Sequence, residues 1–171
     1  MNFQVSEYKY LMQPGFMFIT DQTTSIYGVT GSGIFLSLWD VKKKYSGCCS
    51  FLYPKPPDAQ SLSTIYGAVA IKHLIKKMTN KGSKVENLKA HIIGGSDIDS
   101  SNEYGLKNIQ IVKTILRFHM IEIVSSDTGG KIGRKFIYDT ETGQSLTFKT
   151  DKIRQSDWFP YEKRETDHKE S

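Results

Sequence analysis

The chain has 171 residues, 38% of them hydrophobic, with nine tyrosines and nine phenylalanines. That length suits one domain, and that composition a packed core rather than a disordered polymer. The net charge of +5 is carried by the first half, eleven lysines against five acids up to Ala90, but no basic cluster is interleaved with aromatics, which argues against nucleic acid as a partner.

No apolar run approaches the roughly 20 residues of a membrane span, so direct membrane insertion is not expected. Met1 to Glu7 lacks a basic segment followed by an apolar one, so no leader is read there. The two cysteines, Cys48 and Cys49, are adjacent and can hardly bridge each other. They suit a reducing compartment, and the expected location is the cytoplasm. Without a matching His or Cys cluster, neither a metal nor a cofactor is expected.

Residues 14 to 53 read as consecutive strands. Gly15–Thr20 is β-prone, Ile34–Trp39 more so, and Tyr45–Tyr53 follows Asp40-Val41-Lys42-Lys43-Lys44, a hairpin with lysines at its tip. Pro54-Lys55-Pro56-Pro57 breaks regular structure. Ser61 and Ser63 are candidate caps of a helix reaching Thr79, with Ile65, Ala68, Val69, Leu74, Ile75 and Met78 inward and Gly82 as its stop. Leu88–Ile93 reads as a strand, Glu103–Phe118 as a helix burying Leu106, Ile109, Val112, Ile115 and Leu116, and Met120–Val124 as a strand closed by residues 125–130. Lys135–Asp139 and Ser145–Lys149 make a last hairpin. Residues 1–150 therefore form the folded domain. Residues 151–171 are a charged tail, mobile apart from Trp158 and Phe159 as an anchor. Strands, helix, strand, helix, strands give a mixed α/β (α+β) class rather than a doubly wound sheet.

Three glycine-bearing turns stand out: Gly31-Ser32-Gly33, Gly94-Gly95-Ser96 and Asp127-Thr128-Gly129-Gly130. Glycine allows positive φ and close backbone approach. Gly28-Val29-Thr30-Gly31-Ser32-Gly33 has neither the spacing nor the following helix of a dinucleotide fingerprint. Arg134, just past the last turn, is placed to pair with Asp127 and hold that turn shut.

Taken in order, these pieces resemble one family. Glu7-Tyr8, Pro14-Gly15, Gly31-Ser32-Gly33 and Trp39-Asp40 are similar to the start of CheD proteins, the glutamine deamidases of bacterial chemoreceptors. Lys89-Ala90-His91-Ile92-Ile93-Gly94-Gly95, Gly105-Leu106-Lys107-Asn108, Asp127-Thr128-Gly129-Gly130, Gly133-Arg134-Lys135 and Asp139-Thr140-Glu141-Thr142-Gly143 resemble its second half. The resemblance spans Glu7 to Lys149. It implies a β-sandwich flanked by helices. It also implies a Cys–His pair that turns a receptor glutamine into glutamate through a thioester. The expected partners are chemoreceptor cytoplasmic helices and a CheC-type phosphatase.

The sequence departs from the family where the chemistry should be. The cysteine expected after Gly31-Ser32 is Gly33, and the histidine expected seventeen residues on is Ser50, fixed in register by Phe51-Leu52-Tyr53-Pro54. The family's site threonine falls on Tyr27 without a gap, or on Thr30 or Thr24 with one. Cys48, on the face of Ser50, is the candidate substitute nucleophile, but none of His73, His91, His119 and His168 is placed beside it by spacing. Two readings follow: a CheD-type protein carrying out the family deamidation, or a non-catalytic regulator that binds receptor or phosphatase on the same scaffold.

Overall fold

A computed structural model describes residues 3–97, 103–154 and Asp157. Strands β1 (Tyr8–Met12), β3 (Thr24–Thr30), β8 (Gly133–Asp139) and β9 (Ser145–Thr150) form one sheet in that order, sheet A. Strands β2 (Met17–Thr20), β5 (Tyr45–Phe51), β4 (Ile34–Asp40), β6 (Leu88–Gly94) and β7 (Glu122–Thr128) form sheet B. Helices α1 (Gly67–Asn80) and α2 (Tyr104–Phe118) cover the outer face of sheet B. The chain is a β-sandwich with helices on one side, of α+β class, as the sequence suggests.

The alternation along β4 explains the layers. Ile34, Leu36 and Leu38 face the helices, packing with Leu74 and Met78 of α1 and Val112 and Leu116 of α2. Phe35 faces the other way, into a second core between the sheets with Met12, Ile26, Ile93, Phe136 and Tyr138. A strand buried on both faces reads as a continuous apolar run, which is why β4 is conspicuous in the sequence. The two sheets are also joined by hydrogen bonds: the Tyr138 hydroxyl bonds the Ser46 hydroxyl at 3.1 Å, and Ser46 donates to the Thr140 carbonyl at 2.8 Å.

Two hairpins share one device. Asp40 Oδ1 accepts the amides of Lys42 and Lys43 at 3.0 and 3.1 Å, and Asp139 Oδ1 accepts those of Glu141 and Thr142 at 2.8 and 2.9 Å. Each loop ends in a left-handed residue, Lys44 in the first and Gly143 in the second. The lysine-tipped hairpin is formed as expected.

Other boundaries differ from the sequence reading. Helix α1 starts at Gly67, not near Ser61, because residues 63–66 form a turn, with the Tyr66 amide on Ser63 O, that the Ile65 carbonyl ties to the end of β5 by accepting the Leu52 and Tyr53 amides. Its inward face is accordingly Ala70, Ile71, Leu74, Ile75 and Met78, with Ala68 and Val69 only half-buried. Gly82 ends it as expected, its amide donating to Thr79 O. Leu106 of α2 is exposed rather than inward. Strand β7 begins at Glu122, after a left-handed Met120, and runs on to Thr128, because Ser125–Thr128 pair in parallel with His91–Gly94. Strands β1 and β3 had no distinct sequence signal.

Phe35 is the centre of the inter-sheet core, fully buried, with its ring 4.2 Å from that of Phe136 and 5.8 Å from that of Tyr138. Phe35→Ala is expected to cost about 3–5 kcal/mol, read from urea unfolding, because the surrounding rings cannot close the cavity. A loss below 1 kcal/mol would show that the two sheets do not depend on this contact.

Candidate functional site

The glycine turns that are scattered in sequence meet at one end of the sandwich. The turn before β4 is held through every one of its carbonyls. Gly31 O accepts the Ser96 amide at 2.9 Å, Ser32 O accepts Asn108 Nδ2 at 2.9 Å, and Gly33 O accepts the Gly95 amide at 2.8 Å. The Thr30 hydroxyl also donates to Gly33 O, at 2.7 Å. The turn after β7 joins from the other side: Gly129 N donates to Gly94 O at 3.0 Å, and Asp97 N to Gly130 O at 2.8 Å.

Side chains finish the assembly. Asn108 is fully buried on α2, and its second Nδ2 hydrogen goes to Leu52 O at 2.7 Å, so one amide ties the entry of β4 to the exit of β5. Arg134 is buried on β8. Its Nε donates to Asp127 Oδ1 at 2.9 Å, and its Nη1 to the Ser96 hydroxyl at 2.7 Å and Ile132 O at 3.0 Å. Gly31, Ser32, Gly33, Gly94, Gly95, Asn108, Asp127, Gly129, Gly130 and Arg134 thus form one cluster. The Asp127–Arg134 pair expected from spacing is present.

Gly33 and Ser50, the two positions singled out in the sequence, lie just before β4 and on β5. Gly33 is buried, and a Cβ built on it would lie 2.6 Å from Phe51 O and 3.0 Å from Leu52 Cδ2. Any side chain there must move the turn or β5. Ser50, paired with Phe35, is 5% exposed; its amide donates to Phe16 O and its carbonyl accepts from Gly15 N. Its side chain offers a hydroxyl.

Of the threonine candidates, Thr30 is the one at the turn. Thr24 lies at the opposite end of β3, its amide donating to the Thr140 hydroxyl. Tyr27 lies on the outer face of sheet A among Leu11, Val29 and Ile137, away from the turn.

Cys48 faces the inter-sheet core and Cys49 the helices; both are fully buried. Burial pushes the Cys49 thiol up to about 12, and burial together with the neighbouring Cys49 pushes Cys48 well above the ordinary thiol range. A nucleophilic cysteine needs the opposite shift. His91 stands level with Cys48 but with β4 between them, about 9–10 Å away at the usual strand spacing. Burial lowers its imidazole's pKa. His73 is on α1 and His119 follows α2, while His168 lies outside the described residues. Among the described residues no group of three His, Cys, Asp or Glu converges to hold a metal, and no helix is long and apolar enough to cross a membrane.

Residues 53–149 match the family model described as CheD chemotactic sensory transduction. The chain is 30% identical over 142 residues to a probable chemoreceptor glutamine deamidase CheD of Trichlorobacter lovleyi, covering 81% of this chain and 88% of the relative. It is 33% identical over 135 residues to that of Sulfurimonas denitrificans, covering 76% and 86%. The chain belongs to the CheD family. It is also 28% identical to a Vibrio cholerae CheD, of whose length it spans 62%. The turn cluster lies mostly inside the matched region, whereas Gly33 and Ser50 precede it.

Two outcomes test this geometry. Asn108→Ala removes both bonds and leaves two half-buried carbonyls without their donor, an expected loss of about 1–3 kcal/mol in urea unfolding; an unchanged midpoint would mean the two ends are held otherwise. In the native chain neither cysteine should react with iodoacetamide at pH 8, whereas both should react in denaturant. Rapid native alkylation of Cys48, read by peptide mass spectrometry, would reverse its assignment as core.

Proposed function

We propose that this chain is a chemotaxis protein of the CheD type that engages the glutamine-bearing cytoplasmic helices of methyl-accepting chemoreceptors as a non-catalytic regulator. The family reaction is hydrolytic deamidation of those glutamines to glutamate. The observation that carries the non-catalytic reading is Gly33: the nucleophile's position lacks a side chain, and the space a Cβ needs is taken by the Phe51 carbonyl. Thiol chemistry needs an ionisable sulfur beside a base, and here the only sulfurs of cysteine are sealed in two cores.

Magnitude favours binding over slow catalysis. In a hydrolase triad, loss of the nucleophile or the base costs about 10⁶-fold in turnover, roughly 8 kcal/mol of barrier. A chain without either retains the scaffold that faces the receptor but no route to the thioester. In this reading it works in the cytoplasm, where receptor helices are found, and a CheC-type phosphatase is a second partner for the same end of the sandwich. The lysine-rich first half suits steering toward acidic helices. No cofactor is required.

The test pairs binding with chemistry. Purified chain is incubated with receptor cytoplasmic fragments, association is followed by interferometry, and glutamine conversion by mass spectrometry. The expected outcome is saturable binding without conversion of glutamine to glutamate. Conversion by the unmodified chain that disappears in Cys48→Ala would replace this reading with catalysis from a displaced nucleophile. Neither binding nor conversion would remove the receptor from the account.

A further inference from the structure

Helices α1 and α2 end in the same hydrogen-bonded turn, and the two turns differ at one telling residue. After α1, Gly82 N donates to Thr79 O at 2.9 Å and Ser83 N to Met78 O at 3.0 Å. After α2, Met120 N donates to Arg117 O at 3.0 Å and Ile121 N to Leu116 O at 2.9 Å. Each pair closes its helix on a left-handed residue, with φ +89° at Gly82 and +55° at Met120. Glycine takes that conformation freely, whereas a residue with a Cβ is strained in it. The Met120 side chain returns nothing to the core, for it is 88% exposed. Helix closure would be served better by glycine, so the reason for a methionine lies outside the fold.

Met120 lines a groove of about 450 Å³ between α2 and β7. Ile121 and Ile123 supply further apolar lining, and Lys113 and Arg117 supply charge. These two cations are exposed and one helical turn apart, about 6 Å along the axis. No carboxylate among the described residues pairs with either of them. Glu122, the acid of the lining, is taken by Lys89. Phe118, 81% exposed at the same turn, adds apolar surface.

We infer that the groove between α2 and β7 is a docking surface for an acidic amphipathic helix of another protein. Carboxylates one turn apart on such a helix meet Lys113 and Arg117, while its apolar side packs on Met120, Ile121 and Ile123. Methionine suits that contact because its unbranched thioether adapts to the shape of a partner. A second copy of this chain is the wrong occupant: neither α1 nor α2 contains an Asp or Glu, and both carry lysines. Strand addition is disfavoured as well, because β7 bulges at Val124, where its register with β6 shifts. The inference does not rest on the receptor reading, since α2 ends about 15 Å beyond Asn108 of the turn cluster.

The test uses the full chain and a lactam-bridged helical peptide with glutamates one turn apart beside a leucine stripe. A twin with lysines in place of the glutamates is the control, and binding is read from the anisotropy of the labelled peptide. Saturable binding of the acidic peptide in the micromolar range is expected, weakened at least about tenfold by the double variant Lys113→Glu, Arg117→Glu. Met120→Gly should weaken it about three- to tenfold while raising the urea midpoint of unfolding, a split that a purely structural methionine would not give. All three side chains are exposed, so these variants keep the fold. Absence of saturable binding up to millimolar peptide overturns the inference. So does equal binding of the two peptides, or a Met120→Gly chain that binds as before. A dimer in sedimentation that Met120→Gly dissolves overturns it in favour of a second copy.

Discussion

The carbonyl of Gly33 accepts two hydrogen bonds, from the Thr30 hydroxyl and from the Gly95 amide, and the spacing of three loops follows from that junction. For the Gly95 amide to arrive, the backbone at Gly94 must pass so close that a Cβ there would lie 2.3 Å from Gly33 O, with φ at +119°. Only glycine permits both. Once Gly94 and Gly95 are placed, Ser96 and Asp97 reach Gly31 and Gly130, and the Ser96 hydroxyl is offered to Arg134. Sheet A and sheet B are thus clamped at one end by main-chain bonds as well as by packing.

Much of this was legible in the residues, and what was not has identifiable causes. The lysine-tipped hairpin was readable because Asp40 and Lys44 are local turn chemistry, and β4 because a strand buried on both sides is uniformly apolar. Strands β1 and β3 were not, since Tyr8–Met12 and Thr24–Thr30 mix polar and apolar residues and gain their order from pairing with each other and with β8. The late start of α1 was hidden because it depends on a tertiary bond to Ile65 O rather than on Ser61 or Ser63. Likewise Ser125–Thr128 look like a turn, yet sheet pairing with β6 makes them strand. Tertiary context overrides propensity at these places.

At the site, sequence order identified the cluster but not its internal logic. Nothing in the spacing of Asn108 shows that it bridges Ser32 and Leu52, because both partners are carbonyls and leave no trace in residue type. The choice among Thr24, Tyr27 and Thr30 was equally invisible until the register of β3 placed Tyr27 on the outer face and Thr30 at the turn. The nearness of Phe51 O to Gly33 is a backbone contact too.

These contacts explain how the side chains at positions 33 and 50 can vary while the scaffold keeps its shape. The bonds that hold the turn run from Gly31, Ser32 and Gly33 carbonyls to Ser96, Asn108, Gly95 and Thr30, and none uses the side chain at position 33 or 50. A change of side chain at either position therefore removes no bond from the clamp. At position 33 the Phe51 carbonyl lies so close that any side chain there must displace the turn or β5. Substitution at the clamp itself has no such freedom, since losing Asn108 or Arg134 leaves their partners without a donor. The shape of the clamp is therefore set by these carbonyls and their donors, independent of the side chains at positions 33 and 50.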